Sequence, residues 1–229
     1  MQTVSATYTS ILSGRHRAEW KVEINGVAYN APQLESIQIV SGVFSQTAPT
    51  VGACISAEID VTLLKPSVSI PRMASIRPFV RITNGVSTSE WLPKGLFYID
   101  TREATKNGGV EKLSIHGFDS MLMAEQLCPL QGFPMSDIAA VQAIATFLGV
   151  GVDDETTALI DKGYTVPIPT DYTCREILGF IAAAYAGSFI MDDFGNLRLC
   201  QVNGFPAETN LLINTAGRSI TFGGDRIIV

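Results

Sequence analysis

Apolar and polar residues alternate with a period of two through the first half of the chain, and the period lengthens to that of a helix after Gly117. Trp20, Val22 and Ile24 alternate with Lys21 and Glu23, and Asn25-Gly26 then precedes Val27 and Tyr29. An Asn-Gly pair between alternating runs predicts a hairpin, because both turn residues must take positive φ. Leu34, Ile37 and Ile39 predict the next strand, and Ile55, Ala57, Ile59 and Val61 another. Asn84-Gly85 separates Phe79–Ile82 from Val86–Thr88, and Asn107-Gly108-Gly109 joins Phe97–Ile99 to Leu113–Ile115. Short strands separated by turn signals predict an antiparallel β-barrel or sandwich over residues 1–116. Pro66 and Pro71 bracket a stretch better suited to a loop or a sheet edge, since proline donates nothing to a ladder. Residues Gly42 to Gly52, rich in Ser, Thr and Pro, read as a long excursion.

Beyond Gly117 a small α+β module of two main helices and a β-hairpin is predicted over residues 117–200. Phe118 to Glu125 suits a short helix, and Ile138, Val141, Ile144, Ala145 and Leu148 fall on one face of a longer one. Ser136 is placed to cap it and Gly149 to end it. Asp153 to Asp161 suits one more short helix. Thr173 and Glu176 form the capping-box pattern, ahead of a stripe of Ile177, Ile181, Ala184 and Tyr185, with Gly187 at the C′ position. Phe189–Met191 and Leu197–Leu199 flank a polar turn, Asp192 to Asn196, which predicts the hairpin. The fold class is α+β. Residues 201–229 return to strand character, read as the start of a second β domain. The apolar Ile227-Ile228-Val229 at the end suggests a piece of a longer protein.

Composition narrows the function classes. Apolar residues make up 46% of the 229 and charged residues only 17%. The charged share is below the roughly 25% of ordinary globular chains, which points to a large core or to surface buried against other subunits. A formal net charge of −6 without any Lys/Arg run argues against gripping nucleic acid; Arg15-His16-Arg17 is the densest basic cluster. The longest apolar run, Ile177 to Met191, is too short for the ~20 residues of a membrane span, and no signal-peptide pattern opens the chain.

The four cysteines, Cys54, Cys128, Cys174 and Cys200, show neither zinc nor disulfide-scaffold spacing, and read as reduced small hydrophobes. Of the two histidines, His16 and His116, the latter ends a strand, where a hydrogen-bonded structural role is the ordinary one. The acidic groups Asp192-Asp193 and Asp153-Asp154-Glu155 have the composition of a cation site or a carboxylate pair, yet turns favour Asp for backbone reasons. Gly223-Gly224-Asp225 lacks the Lys-Ser/Thr ending of a phosphate loop and reads as a β-turn. Trp20, Trp91 and Tyr98 suit core or interface anchors. No catalytic, cofactor-binding or metal residue is assigned, no cofactor is expected, and no residue is assigned to an interface.

One stretch adds a resemblance. Trp91-Leu92-Pro93-Lys94-Gly95-Leu96-Phe97-Tyr98-Ile99-Asp100, then Leu113 to Leu122 with Ala124-Glu125-Gln126, resembles the strand-to-helix passage of bacteriophage tail-tip hub proteins of the prophage endopeptidase tail type. Tyr172 to Ala182 followed by Gly187, and Asp192 to Leu199, resemble the second helix and closing hairpin of their helical module. The resemblance covers roughly Trp91 to Val202, and the order of the segments carries it. It implies a virion structural protein, assembled in the bacterial host cytoplasm and located in the tail. That protein would be a homotrimeric ring at the tail tip whose two barrels per chain match a sixfold tube, with the second barrel starting near Gln201. It further implies partners among other tail proteins, no specific nucleic-acid binding, no membrane and no catalysis. Any peptidase would reside in a separate downstream module. The other readings are a carbohydrate- or receptor-binding β protein of a tail and, further off, a tail-associated peptidase.

Overall fold

The structure, a computed structural model, describes residues 3–43, 51–64, 66, 69–107, 109–129, 131–167, 171–201, 221–222 and 225–226. It opens with a helix that polarity alone does not announce, α1 (Ala6–Leu12), capped by the Ser5 hydroxyl, which accepts from the Tyr8 N–H at 3.0 Å. Ser5 is itself held by the Glu90 carboxylate, 85 residues away in sequence.

The strands β1 (Arg17–Ile24) and β2 (Val27–Asn30) form the expected hairpin, with Asn25 at φ 49 and Gly26 at φ 80. Then come β3 (Leu34–Val40), β4 (Glu58–Leu64), β5 (Ser75–Thr83), β6 (Leu92–Pro93), β7 (Phe97–Asn107) and β8 (Val110–Asp119). All eight pair antiparallel in one sheet of order β2-β1-β5-β7-β8-β4-β3, with β6 also on β5. Every second residue points to the same face, so Val22, Ile24, Tyr29, Ile59, Val61, Leu63, Ile76, Phe97, Ile99 and Ile115 meet in one buried cluster. Leu34, Ile37 and Ile39 of the far end strand pack on that cluster too, which requires the sheet to curl strongly.

The α+β class and the antiparallel pairing match the sequence pattern, but the sheet does not close into a barrel. The end strands β2 and β3 are not paired with each other. The reason is local. β1 pairs with β5 from Arg17 to Ile24 but with β2 only from Lys21 to Ile24. The chain then leaves the sheet through Ala31-Pro32-Gln33, where Gln33 N–H returns to Asn30 O at 2.7 Å and Pro32 has no N–H to continue the ladder. Half of β1 and the outer side of β3 are left as facing edges.

Tyr29 is buried at 1% exposure, and its hydroxyl has no hydrogen-bond partner among the described residues. Tyr29→Phe is therefore expected to leave stability unchanged or raise it by about 1 kcal/mol, measured by urea unfolding. A loss above that size would show that the hydroxyl is satisfied in solution.

The second half begins with a 3-10 helix (Ser120–Glu125) and continues through β9 (Met135–Ser136), α2 (Asp137–Leu148), α3 (Asp154–Leu159), β10 (Thr165–Val166), α4 (Cys174–Ala184), β11 (Gly187–Met191) and β12 (Leu197–Gln201). A two-residue pair, β13 (Thr221–Phe222) and β14 (Asp225–Arg226), follows. Ser136 caps α2 and Gly149 ends it at φ 70, as the sequence suggests. The Thr173–Glu176 capping box forms in full, and its backbone and hydroxyl hydrogen bonds hold the Glu176 carboxyl below its ordinary range. Gly187 is a correction: Ala186, at φ 50, takes the left-handed position, while Gly187 opens β11, where a Cβ would lie 2.7 Å from Cys200 O. A second buried cluster joins Met121, Val141, Ile144, Ile177, Leu178, Ile181, Phe189, Leu197 and Leu199.

The two clusters are stitched by the segment that leads into β4. Asp119, at the end of β8, accepts from Ser56 Oγ at 2.8 Å and Met121 N–H at 2.9 Å on Oδ1, and from Ala57 N–H at 2.8 Å on Oδ2. Gly52 N–H donates to Gly187 O at 2.7 Å, and Phe189 N–H to Ala53 O at 2.9 Å. A Cβ on Gly179 would meet Gly52 O at 2.7 Å, so α4 carries glycine where this segment crosses it. Residues 44–50 of the expected excursion, Ser67 and Val68 between the two prolines, and 202–220 and Ile227–Val229 of the expected second β domain lie outside the described residues.

Candidate functional site

The unsealed seam of the sheet forms a concave surface. Between the free half of β1 and the outer edge of β3 lies a groove of about 580 Å³, lined by Arg17 to Trp20, Asn30, Leu34 to Ile37, Arg81 and Trp91 among others. Glu19 sits at its centre, paired with Arg17 at 2.6 Å and Arg81 at 2.8 Å, and those two guanidiniums hold its carboxyl below the usual range. Arg81 also lies over the Trp91 ring at 4.4 Å, and Lys21 over Phe79 at 4.3 Å and Trp91 at 5.3 Å. Such stacking fixes long side chains that would otherwise sample many rotamers. The groove offers two half-buried indoles, paired charges and two unsealed backbone edges. This is the chemistry of recognition: nothing in it pairs a nucleophile with a base.

The residues weighed from sequence fall elsewhere. His116 Nδ1 lies 2.9 Å from Asp60 Oδ1 on the neighbouring strand, with its ring edge-on to Phe118. His16 Nδ1 contacts Gly14 O at 2.8 Å. Burial pushes the Cys54 thiol up to about 12, which leaves it a poor nucleophile at neutral pH. Trp20 and Trp91 are brought to one groove although 71 residues separate them, whereas Tyr98, opposite Phe118 in the sheet, does not line it.

The two acidic groups do meet, around a depression of about 230 Å³. Four of the five carboxylates are occupied by structural work, however. Asp153 caps α3; Asp192 accepts from the Phe194 and Asn196 N–H groups at 2.9 and 2.7 Å. Asp193 pairs with Lys94 at 2.8 Å, and Glu155 pairs with Arg198. Among the described residues no three His, Cys, Asp or Glu side chains are placed to hold a metal ion. Gly223-Gly224 lies outside the described residues, and Asp225 is in β14.

Sequence reasoning missed a third surface. Tyr164, Tyr172, Phe180 and Tyr185, with Ile177, Ile181 and others, line an apolar groove of about 440 Å³ on the helical module. Phe180 is 59% exposed there, on the side of α4 that the buried stripe leaves outward. The signal was available: Phe180 lies off the Ile177–Ile181–Tyr185 stripe, on the face where a polar residue is the rule.

An open antiparallel sheet leading into a helical module defines an α+β structural class without an assembled reactive centre among the described residues. No protein-family model matches the chain, and no curated protein sequence matches it. Solved structures do. The chain is similar in fold to the 43 kDa tail protein of prophage MuSo2 from Shewanella oneidensis, with a TM-score of 0.54 and 14% identity over 84% of this chain and 57% of that one. It is likewise similar to a tail protein from Neisseria meningitidis MC58, with a TM-score of 0.53 and 14% identity over 80% of this chain and 50% of that one. The fold is thus one shared with these two tail proteins, and the chain spans about half the length of each.

Proposed function

We propose that the chain is part of a structural component of a phage or prophage tail, a ring-forming adaptor of the baseplate-hub kind between the tail tube and its tip. The observation that carries the reading is the fold shared with two tail proteins, one of them of a prophage, over at least 80% of this chain. The protein self-associates as a homotrimer, contacts other tail proteins, resides in the virion tail after assembly in the host cytoplasm, and works without catalysis. Its parts are a β domain over 1–116, an α+β module over 117–200 and a further β domain from 201. Two features support assembly through the seam. Among the described residues no strand pairs with the edge of β1 at Arg17–Trp20 or with the outer edge of β3, and neither edge carries an internal proline or lysine. The thin surface charge fits a protein that works in contact with others.

The test is the solution mass of the protein that carries this chain, by light scattering, together with its detection in purified tail particles. Three times the chain mass is expected, and absence from tails with a stable monomer at all concentrations would overturn the reading. One observation favours a second reading, a saccharide- or receptor-binding tail component: both tryptophans of the chain line the same groove with Arg17, Arg81 and Asn30. Quenching of tryptophan fluorescence by host-surface glycans, in a protein that stays monomeric, would select it.

A further inference from the structure

Two cysteines 46 positions apart in sequence lie diagonally across a short backbone ladder. Leu127 faces Thr173 in an antiparallel bridge, Cys128 N–H donates to Tyr172 O at 2.9 Å, and Cys174 N–H donates to Gln126 O at 3.1 Å. Bonds on both flanks make Leu127 and Thr173 a non-hydrogen-bonded pair, the arrangement in which facing strands come closest. Side chains alternate across such a ladder, so Cys128, opposite Tyr172, and Cys174, opposite Gln126, lie diagonally on the face away from Leu127. Leu127 is 63% exposed, which turns the cysteines inward. Cys174 is fully buried, Cys128 packs partly buried against the same cluster, and the Cys128 thiol lies near enough to raise that of Cys174.

We propose that Cys128 and Cys174 are a disulfide-forming pair, an oxidisable staple that ties the segment before α2 to the first turn of α4. The loop it closes contains β9, α2, α3 and β10, the first half of the helical module. The other two cysteines have different neighbours: Cys54 is bridged to Phe189 and Cys200 lies opposite Ser188. They stay thiols.

The oxidant is a small disulfide of the oxidised-glutathione class. Cys128, the more accessible of the two, loses its proton and its thiolate attacks one sulfur of the oxidant, releasing one small thiol. Cys174 then loses its proton and attacks the Cys128 sulfur, forming the Sγ–Sγ bond and releasing the second small thiol. Two protein thiols are oxidised and one small disulfide is reduced, so electrons and protons balance. Burial, and then the Cys128 thiol beside it, push Cys174 up to about 12, so the closing step is slow at neutral pH and speeds up as the solution is made alkaline. A tail protein made in a reducing cytoplasm and then released would acquire the bond only outside the cell.

The experiment incubates the native protein with oxidised glutathione at several alkaline pH values, alkylates the remaining thiols, and reads intact mass and peptide maps. The expected product has two of the four thiols consumed, no retained glutathione, and a cross-linked peptide joining Cys128 to Cys174. It should melt higher than the reduced form by roughly 5 °C, reversibly with dithiothreitol. Cys128→Ser should abolish both the cross-link and the melting shift, while Cys54→Ser and Cys200→Ser leave both in place. Because Cys174 is buried, Cys174→Ala serves as the second variant. Four thiols surviving, a mixed disulfide persisting on Cys128, or a bond to Cys54, Cys200 or another copy would each overturn the proposal.

Discussion

Phe189→Ala is expected to remove about 4 kcal/mol of stability. The ring is fully buried, its strand pairs with β12 through Leu199, and its own N–H is tied to Ala53 on the segment that enters β4. Truncation leaves a cavity among Leu178, Ile181, Leu197 and other members of a cluster already committed to two helices and a hairpin. Urea unfolding followed by circular dichroism measures it. A loss under about 1.5 kcal/mol would mean that the surrounding side chains collapse into the space and that this ring is not the joint it appears geometrically.

Asp119→Ala is expected to cost about 3 kcal/mol, by a different route. Its carboxyl caps the 3-10 helix through Met121 N–H and holds Ser56 and Ala57 in front of β4, so its loss strands buried donors on both sides of the joint. The same group sets a pH test. Burial pushes the Asp119 carboxyl above its ordinary 3.8, against the opposing pull of its hydrogen bonds. Ionisation is then harder in the folded chain than in the unfolded one. Its contribution is most favourable below the unfolded value and declines as pH rises through the raised folded value. Asp119→Asn should remove that slope while keeping part of the joint. An unchanged pH profile in the Asn variant would show that Asp119 does not titrate there, and an Ala variant as stable as the wild type would dissolve the joint itself.

These two residues also mark how far the sequence was readable. The hairpin at Asn25-Gly26, the end of α2 at Gly149 and the capping box at Thr173 were legible because each is a local bargain between neighbours, settled within four residues by φ preferences or side chain-to-backbone hydrogen bonds. The extent of β8 was not: the strand runs on to Asp119 because Glu58 and Ile59 of β4 pair with Phe118 and Gly117. Helix α1 escaped notice because six of its seven residues are not buried, and its Ser5 cap is held by Glu90 far along the chain. The candidate groove was invisible from sequence, since Trp20 and Trp91 look like two isolated strand aromatics until β1, β5 and β6 are placed side by side.

From sequence by itself came the α+β class, the antiparallel pairing and the switch from strands to helices near Gly117, because periodicity and turn chemistry act over a few residues. Only the tertiary structure decided that the sheet stays open, that the acidic groups meet at one depression, and that Cys128 neighbours Cys174. Closure, grooves and pairs of distant side chains depend on which strand lies beside which and in what register. That is set by which side chains are buried together in each core, and no local pattern along the chain encodes it.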